Sequence, residues 1–183
     1  MVGLSALWIP ILLSAVIVFV ASSILHMILP FHRSDYRKLP NEEAAATALR
    51  GTAPGMYILP FCTHQEMKST AVQEKLKAGP VGTVLLRQPG PINMGKFLGL
   101  WFVFCLLVAF FTAYLTGRTL PPGVHYLVVF RVAGTAAFMA YGLANIANGI
   151  WKGEPWSVVT KEVIDGFVYG LLTAGTFGWL WPR

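Results

Sequence analysis

The chain has 183 residues, of which 55% are hydrophobic and only 12% are charged. Soluble domains carry roughly 25% charged residues, so this composition excludes an ordinary soluble domain. The net charge of +6 would suit a nucleic-acid-binding protein. However, no basic helix carries interleaved aromatic residues for stacking, and we exclude nucleic acid as a partner. The basic residues instead flank long apolar stretches, which is typical of membrane proteins.

The first apolar stretch, residues 4–29, is long enough to cross a bilayer, which takes about 20 residues. No Lys or Arg precedes Arg33, so the stretch lacks the basic start of a secretory signal and predicts an uncleaved helix. Residues 97–117, 124–147 and 163–181 are predicted to span the membrane as well. The predicted fold is an all-α membrane protein with four transmembrane helices.

Residues 31–96 are predicted to form a small α+β cytoplasmic insertion between helices 1 and 2. Asn41 and two glutamates precede an alanine run and indicate a short helix, and Ser69 or Thr70 can start another. Residues 56–61 and 81–87 are short β-like runs. A segment of about 60 residues folds alone only marginally. We therefore expect contacts with the membrane helices or with a partner to stabilise the insertion.

The basic residues predict the orientation, because basic loops stay on the cytoplasmic side. Arg33, Arg37 and Lys38 follow the first span closely. This pattern predicts an outside amino terminus, residues 31–96 in the cytoplasm and an outside carboxyl terminus, in the bacterial inner membrane. The same three residues are candidates for contact with anionic lipid headgroups.

Small residues recur at every fourth position of the last predicted span, and positions four apart lie on one face of a helix. They are Gly166, Gly170, Ala174 and Gly178. The third span carries a similar series, Ala136, Ala140 and Ala144. Because small residues let helices approach closely in lipid, we predict that the two spans pair tightly through these faces.

Two charged residues lie within predicted spans, and such residues are candidates for function. Arg131 is in the third span and Asp165 in the fourth, at depths that differ by roughly 14 Å. We therefore predict no direct ion pair between them. Asp165 should instead form a hydrogen-bonded cluster with Tyr141 and Asn145, either as a structural clasp or as a proton or ligand site.

Four metal-binding side chains share the predicted cytoplasmic side: His26, His32, Cys62 and His64. Imidazole and thiolate suit zinc or copper, so these residues are a candidate metal site. His26 and His125 lie at opposite ends of their spans, which argues against a haem. No phosphate loop, metalloprotease motif or serine-hydrolase motif is present. No catalytic residue and no cofactor is therefore predicted.

Three segments carry a resemblance to a known family. They read HMILPFHRSDY from His26, GPVG from Gly79 and WLWPR from Trp179. They resemble an uncharacterised family of small bacterial inner-membrane proteins. That family has no assigned activity, so the resemblance implies a bacterial inner-membrane location and no functional residues.

These patterns favour a non-enzymatic membrane protein, an accessory or assembly subunit of a larger membrane complex. Its expected partners are membrane lipids and other membrane subunits, or further copies of itself. Two alternatives stay open. One is a small oligomeric transporter or channel-like protein with a polar path along Asp165. The other is a metal- or lipid-processing membrane enzyme that uses the histidine and cysteine group.

Overall fold

The structure is a computed structural model that describes residues 1–183 and divides into two units. The first unit contains residues 1–35, 93–149 and 154–183, and the second contains residues 36–92 and 150–153. The chain is mostly helical, with one small two-stranded sheet, as the sequence predicts.

The first unit is built from four long helices. They are α1 (Trp8–Ser23), α4 (Met94–Thr119), α5 (Tyr126–Tyr141) and α7 (Trp156–Trp179). A π-helical turn, Ile24–Ile28, extends α1, and a short 3-10 turn, Pro30–His32, follows it. After α5, a 3-10 turn at Leu143–Asn145 leads into α6 (Ile146–Lys152).

Three stretches are long and apolar enough to cross a membrane: Trp8–Ile28, Met94–Thr119 and Tyr126–Lys152. The predicted fourth span, within α7, is not among them. Lys161, Glu162 and Asp165 interrupt its apolar sequence, and several glycines and threonines follow them. This helix nevertheless has the longest series of buried residues in the chain, because it packs against both α5 and α1.

The α5–α7 contact depends on the predicted small residues of α7. A Cβ atom added to Gly166 would lie 2.3 Å from the Cα atom of Gly142, and one added to Gly178 would lie 2.6 Å from the Tyr126 ring. At Gly170 the nearest atom would be the Cβ of Phe138, at 3.1 Å. The two backbones are therefore close enough to require glycine on α7.

The face of α5 that meets α7 differs from the predicted one. Gly134, Phe138 and Gly142 contact the α7 glycines or Ala174. The predicted partners lie elsewhere: Ala140 and Ala144 are exposed, and Ala136 lines a groove beside α4. At this interface, glycines of α7 pack against aromatic rings of α5 as well as against its small residues. A prediction that requires small residues on both helices therefore selects the wrong face of α5.

Backbone hydrogen bonds join the two termini to the last turn of α4 and to the loop that follows it. The Val2 amide donates to the Gly117 carbonyl at 2.7 Å, and the Gly123 amide donates to the Pro182 carbonyl at 2.9 Å. The indole of Trp181 donates to the Pro121 carbonyl at 3.0 Å. We call this end, where both chain termini lie, the terminal end of the unit.

The second unit contains α2 (Glu42–Leu49), β1 (Gly55–Leu59), α3 (Thr70–Ala78) and β2 (Gly82–Leu86). The strands pair antiparallel from Gly55–Leu86 to Leu59–Gly82. The Ser69 side chain caps α3 by accepting from the Val72 amide, as its position before the helix suggests. No residue between 36 and 92 is buried. This unit therefore has secondary structure but no hydrophobic core of its own.

Candidate metal centre

The chain leaves α1 through an irregular segment that brings two histidines together. His26 lies in the π-helical turn, and His32 ends the 3-10 turn that begins at Pro30. Their rings stack nearly parallel, at 7° and a centroid distance of 4.1 Å. Single π-helical turns are rare and are frequently found at functional sites.

Asp165 of α7 completes a group of three potential metal ligands. Its Oδ2 atom lies 2.8 Å from Nε2 of His32 and 3.6 Å from Nε2 of His26. All three ligand atoms lie within 4.8 Å of one another. The side chains of Asp165 and His32 are only 4% and 11% exposed, whereas that of His26 is 48% exposed. The group is therefore buried on one side and open on the other.

The other nitrogen of each ring determines which tautomer the histidine adopts. Nδ1 of His32 lies 2.6 Å from Oδ2 of Asp35, and Nδ1 of His26 lies 3.1 Å from the Ser22 carbonyl. Carboxylates and carbonyls only accept hydrogen bonds, so both Nδ1 atoms carry the proton. In a neutral ring, Nε2 then presents a lone pair toward Asp165. Metal-binding histidines almost always have this arrangement.

Several buried polar atoms around this group have no hydrogen-bond partner. Nε2 of His32 and Oδ2 of Asp165 are close but not aligned for a hydrogen bond. Two further buried oxygens on α7 also have no partner: Oε2 of Glu162 and the hydroxyl oxygen of Tyr169. Buried polar atoms are normally satisfied, so these atoms are available to contact a bound ion or water molecule. A cation at this position would satisfy the first two atoms.

Asp35 contacts the Nδ1 side of the His32 ring, and Lys161 in turn contacts Asp35. The Lys161 ammonium donates to the Phe31 carbonyl at 2.7 Å, to the Ser34 hydroxyl at 2.9 Å and to the Asp35 carboxylate. Burial alone would raise the pKa of Asp35, but the hydrogen bonds from Lys161 and His32 outweigh it and lower the pKa below its ordinary value. Asp35 is therefore an anion that can orient the His32 ring.

Glu162 has the opposite character. Burial, followed by the neighbouring charges of Glu154, Asp165 and Asp35, raises its pKa above the ordinary value. A raised pKa means that the carboxyl group accepts a proton more readily than an exposed glutamate. Glu162 can thus hold a proton next to the three-ligand group.

An apolar cleft of about 430 Å³ reaches the exposed side of His26. Its walls include Met27 and Ser22 from the α1 segment and Phe97 and Trp101 from α4. The Trp101 indole donates to the Ser22 hydroxyl at 2.7 Å, which connects α4 to the residue whose carbonyl orients His26. The open side of the group therefore faces an apolar space.

The predicted metal residues are only partly brought together. Of the four candidates, His26 and His32 are neighbours, and the third member of the group is Asp165 rather than a cysteine or another histidine. Cys62 and His64 belong to the second unit and are not members of the group. The π-helical turn and Pro30 explain why a regular helical spacing does not relate the two histidines.

The predicted hydrogen-bonded cluster of Tyr141, Asn145 and Asp165 does not form. The Asn145 amide donates to the Tyr141 carbonyl at 3.0 Å, and the Tyr141 hydroxyl donates to the Cys105 carbonyl at 3.4 Å. Asp165 instead faces the histidines that follow α1. The physical reason is that α7 packs between two helices, and its carboxylate is on the α1 side.

The remaining predicted residues are not members of this group. Arg131 is exposed on α5 and has no ion pair with Asp165, as expected. Arg33, Arg37 and Lys38 are exposed, which suits their predicted contact with lipid headgroups, and Lys38 lies 4.0 Å from Glu42. Sequence reasoning missed Asp35 and Lys161. Only the spacing of His32 and Asp35, three residues apart, could have indicated their contact.

Comparisons with protein-family models, with curated proteins and with solved structures found no match to this chain. The geometry of the three-ligand group is therefore the basis for a functional proposal.

Proposed function

We propose that this chain is an integral membrane metalloprotein that binds one divalent transition-metal ion through His26, His32 and Asp165. The observation that carries the proposal is the convergence of the Nε2 atoms of His26 and His32 on the buried Asp165 carboxylate, while each Nδ1 atom already has an acceptor of its own. A doubly charged ion would be attracted to all three ligands at once.

The ligand types narrow the class of metal. Imidazole suits zinc, copper, iron and nickel, and two histidines with one carboxylate occur at catalytic zinc sites and at non-haem iron sites. Three protein ligands leave at least one coordination position open, which is characteristic of catalytic rather than structural zinc. Such an ion, when bound, polarises a substrate oxygen or activates a water molecule.

The surrounding residues suggest a metal-dependent membrane enzyme. Asp35 orients His32 and is itself held by Lys161. Glu162 is the nearby group that can take up or release a proton. The apolar cleft beside His26 would admit the hydrophobic part of a substrate from the lipid phase. A lipid-like, amphipathic substrate fits this arrangement better than a water-soluble one.

Metal binding can be tested with the purified protein in detergent. Wild type should bind one equivalent of Zn²⁺ per chain, and His32→Ala and Asp165→Asn should weaken binding at least about tenfold, because each removes a ligand. His64→Ala is the matched control and should leave the affinity unchanged. If wild type binds no Zn²⁺, or if His64→Ala weakens binding as much as His32→Ala, the proposal fails.

We also propose that α7 crosses the membrane as a fourth span in a bacterial inner membrane, with the amino terminus outside. In support, α7 lies along α5 from the Gly178–Tyr126 contact to the Gly166–Gly142 contact, so the two helices cover the same depth. The charges of α7 lie near its start. The distribution of basic residues and the family resemblance suggest the orientation and the location.

A second candidate function, an accessory subunit of a membrane complex, is favoured by the second unit. Met56, Ile58 and Leu85 share one face of its two-stranded sheet and are each about 60% exposed. An apolar sheet face in a unit without a buried core suits contact with a partner membrane protein. Wild type in mild detergent should then migrate as a larger complex that Ile58→Asp dissociates and Thr52→Asp does not. A monomer in all three samples would exclude this role.

A further inference from the structure

A long apolar groove runs between α4 and α5, away from the candidate metal centre. It has a volume of about 800 Å³ and is lined by large side chains such as Phe104 and Phe111 on α4 and Met139 on α5. Ala136, a small residue, also lines it. Both helices belong to the candidate membrane-crossing stretches, so the groove would face the lipid.

The only charged residue that lines this groove is Arg131. Its side chain is exposed, and it forms no ion pair and no hydrogen bond within the chain. It lies five residues after Tyr126, the first residue of α5, and hence about 8 Å along the helix axis. An unpaired guanidinium at this depth is unfavourable in hydrocarbon, and such residues usually have a functional partner. The flexible stem of arginine lets the charge extend toward the headgroup region.

We propose that this groove binds one anionic phospholipid, with Arg131 paired to the headgroup phosphate and an acyl chain along the groove. The dimensions agree with this occupant. Arg131 and Ala140 both line the groove, and their separation of nine residues corresponds to about 14 Å of helix. One leaflet of the hydrocarbon core is about 15 Å thick. A single positive group above an apolar channel is complementary to an anionic lipid.

A second copy of this chain fits the groove less well. The chain has eight acidic residues, and none of them lies in α1, α4 or α5. The acidic residues of α7 are Glu162 and Asp165, and Asp165 is buried in the three-ligand group. The long helices of another copy therefore offer no acidic side chain at the depth of Arg131. Self-association through these helices would leave the guanidinium unpaired.

The proposal can be tested by native mass spectrometry of the purified protein with phosphatidylglycerol as the probe. Wild type should retain one phosphatidylglycerol, and Arg131→Gln should weaken its binding at least about tenfold because a charge-assisted hydrogen bond to phosphate is lost. Arg118→Gln is the matched control: Arg118 is a cation at the terminal end that lies beside the Tyr114 ring and does not line the groove. It should bind within about twofold of wild type.

Two further samples separate the lipid from other sources of the same chemistry. Ala136→Phe keeps the arginine but fills the groove, and should weaken phosphatidylglycerol binding while the unfolding temperature stays near that of wild type. Inorganic phosphate in large excess should not displace the lipid. Equal binding by wild type and Arg131→Gln, an equal loss in Arg118→Gln, or displacement by phosphate would each overturn the proposal. So would a dimer that Arg131→Gln dissociates without any change in bound lipid.

Discussion

Replacing Gly166 by alanine should separate α5 from α7. The added Cβ atom would lie 2.3 Å from the Gly142 Cα atom and 2.6 Å from the Tyr141 carbonyl carbon, whereas ordinary contacts begin near 3.4 Å. Both neighbours are backbone atoms and cannot rotate away. The helices must therefore move apart by about 1 Å, which forfeits a quarter to a half of the dispersion energy of each interfacial contact. We expect a loss of about 3 kcal/mol, at the upper end of the usual range for overpacking.

Two other glycines of α7 provide a graded comparison. A Cβ atom at Gly170 would be 3.1 Å from the Phe138 Cβ atom, and one at Gly175 would be 3.8 Å from its nearest neighbour. Gly170→Ala should therefore destabilise less than Gly166→Ala. Gly175→Ala should be neutral or stabilise by up to about 1 kcal/mol, because alanine is the better helix former. The assay is the free energy of unfolding in mixed detergent micelles, measured for all three variants.

The order of the three values decides the outcome. If Gly166→Ala and Gly175→Ala unfold with the same free energy as wild type, then α5 and α7 are not in backbone contact, and the interface described above is incorrect. Gly166→Ala should also reduce Zn²⁺ binding if the metal proposal holds, because Gly166 is adjacent to Asp165 and the shift of α7 would move the carboxylate away from His32.

Two further predictions concern the residue that orients His32 and the number of membrane crossings. Asp35→Asn should lower the Zn²⁺ affinity about 10–100-fold while all three ligands remain, because the anion that orients His32 is lost; competition with a chelator measures this, and an unchanged affinity would remove Asp35 from the site. Four crossings place both ends of the described chain on one side of the membrane. A cysteine at position 183 in a Cys62→Ser background should therefore react with an impermeant maleimide in intact cells, and Cys62 in wild type should not. The reverse labelling would contradict the orientation, and protection of both would favour three crossings.

The sequence predicted the elements that depend on local patterns. Three of the four apolar stretches, the α7 glycines and the strands near residues 56–61 and 81–87 can be identified from periodicity or composition. The partner face on α5 was missed because the series Ala136, Ala140, Ala144 is displaced by two residues from Gly134, Phe138, Gly142. Two residues turn a helix by about 200°, so the displacement selects nearly the opposite face. Small residues on one helix do not require small residues on the other.

The three-ligand group could not be predicted for a different reason. Its members come from the π-helical turn, the 3-10 turn and α7, and no spacing in the sequence relates Asp165 to His32. Irregular turns have no periodic signal, and the contact joins residues that are more than 130 positions apart. Only the histidine pair itself was visible as a set of suitable ligands.

The low hydropathy of α7 and the candidate site have a common physical origin. A helix that faces lipid cannot carry Asp165 without cost, since a carboxylate in hydrocarbon needs a partner. Here the carboxylate is buried beside two imidazoles, and Lys161 at the start of the same helix is bonded to Asp35 and the Phe31 carbonyl. Lys161 and Asp165, which lower the hydropathy of α7, are thus the residues that contact the segment after α1. In this protein, a departure from the expected pattern of a span coincides with the strongest candidate for function, as is common at functional sites.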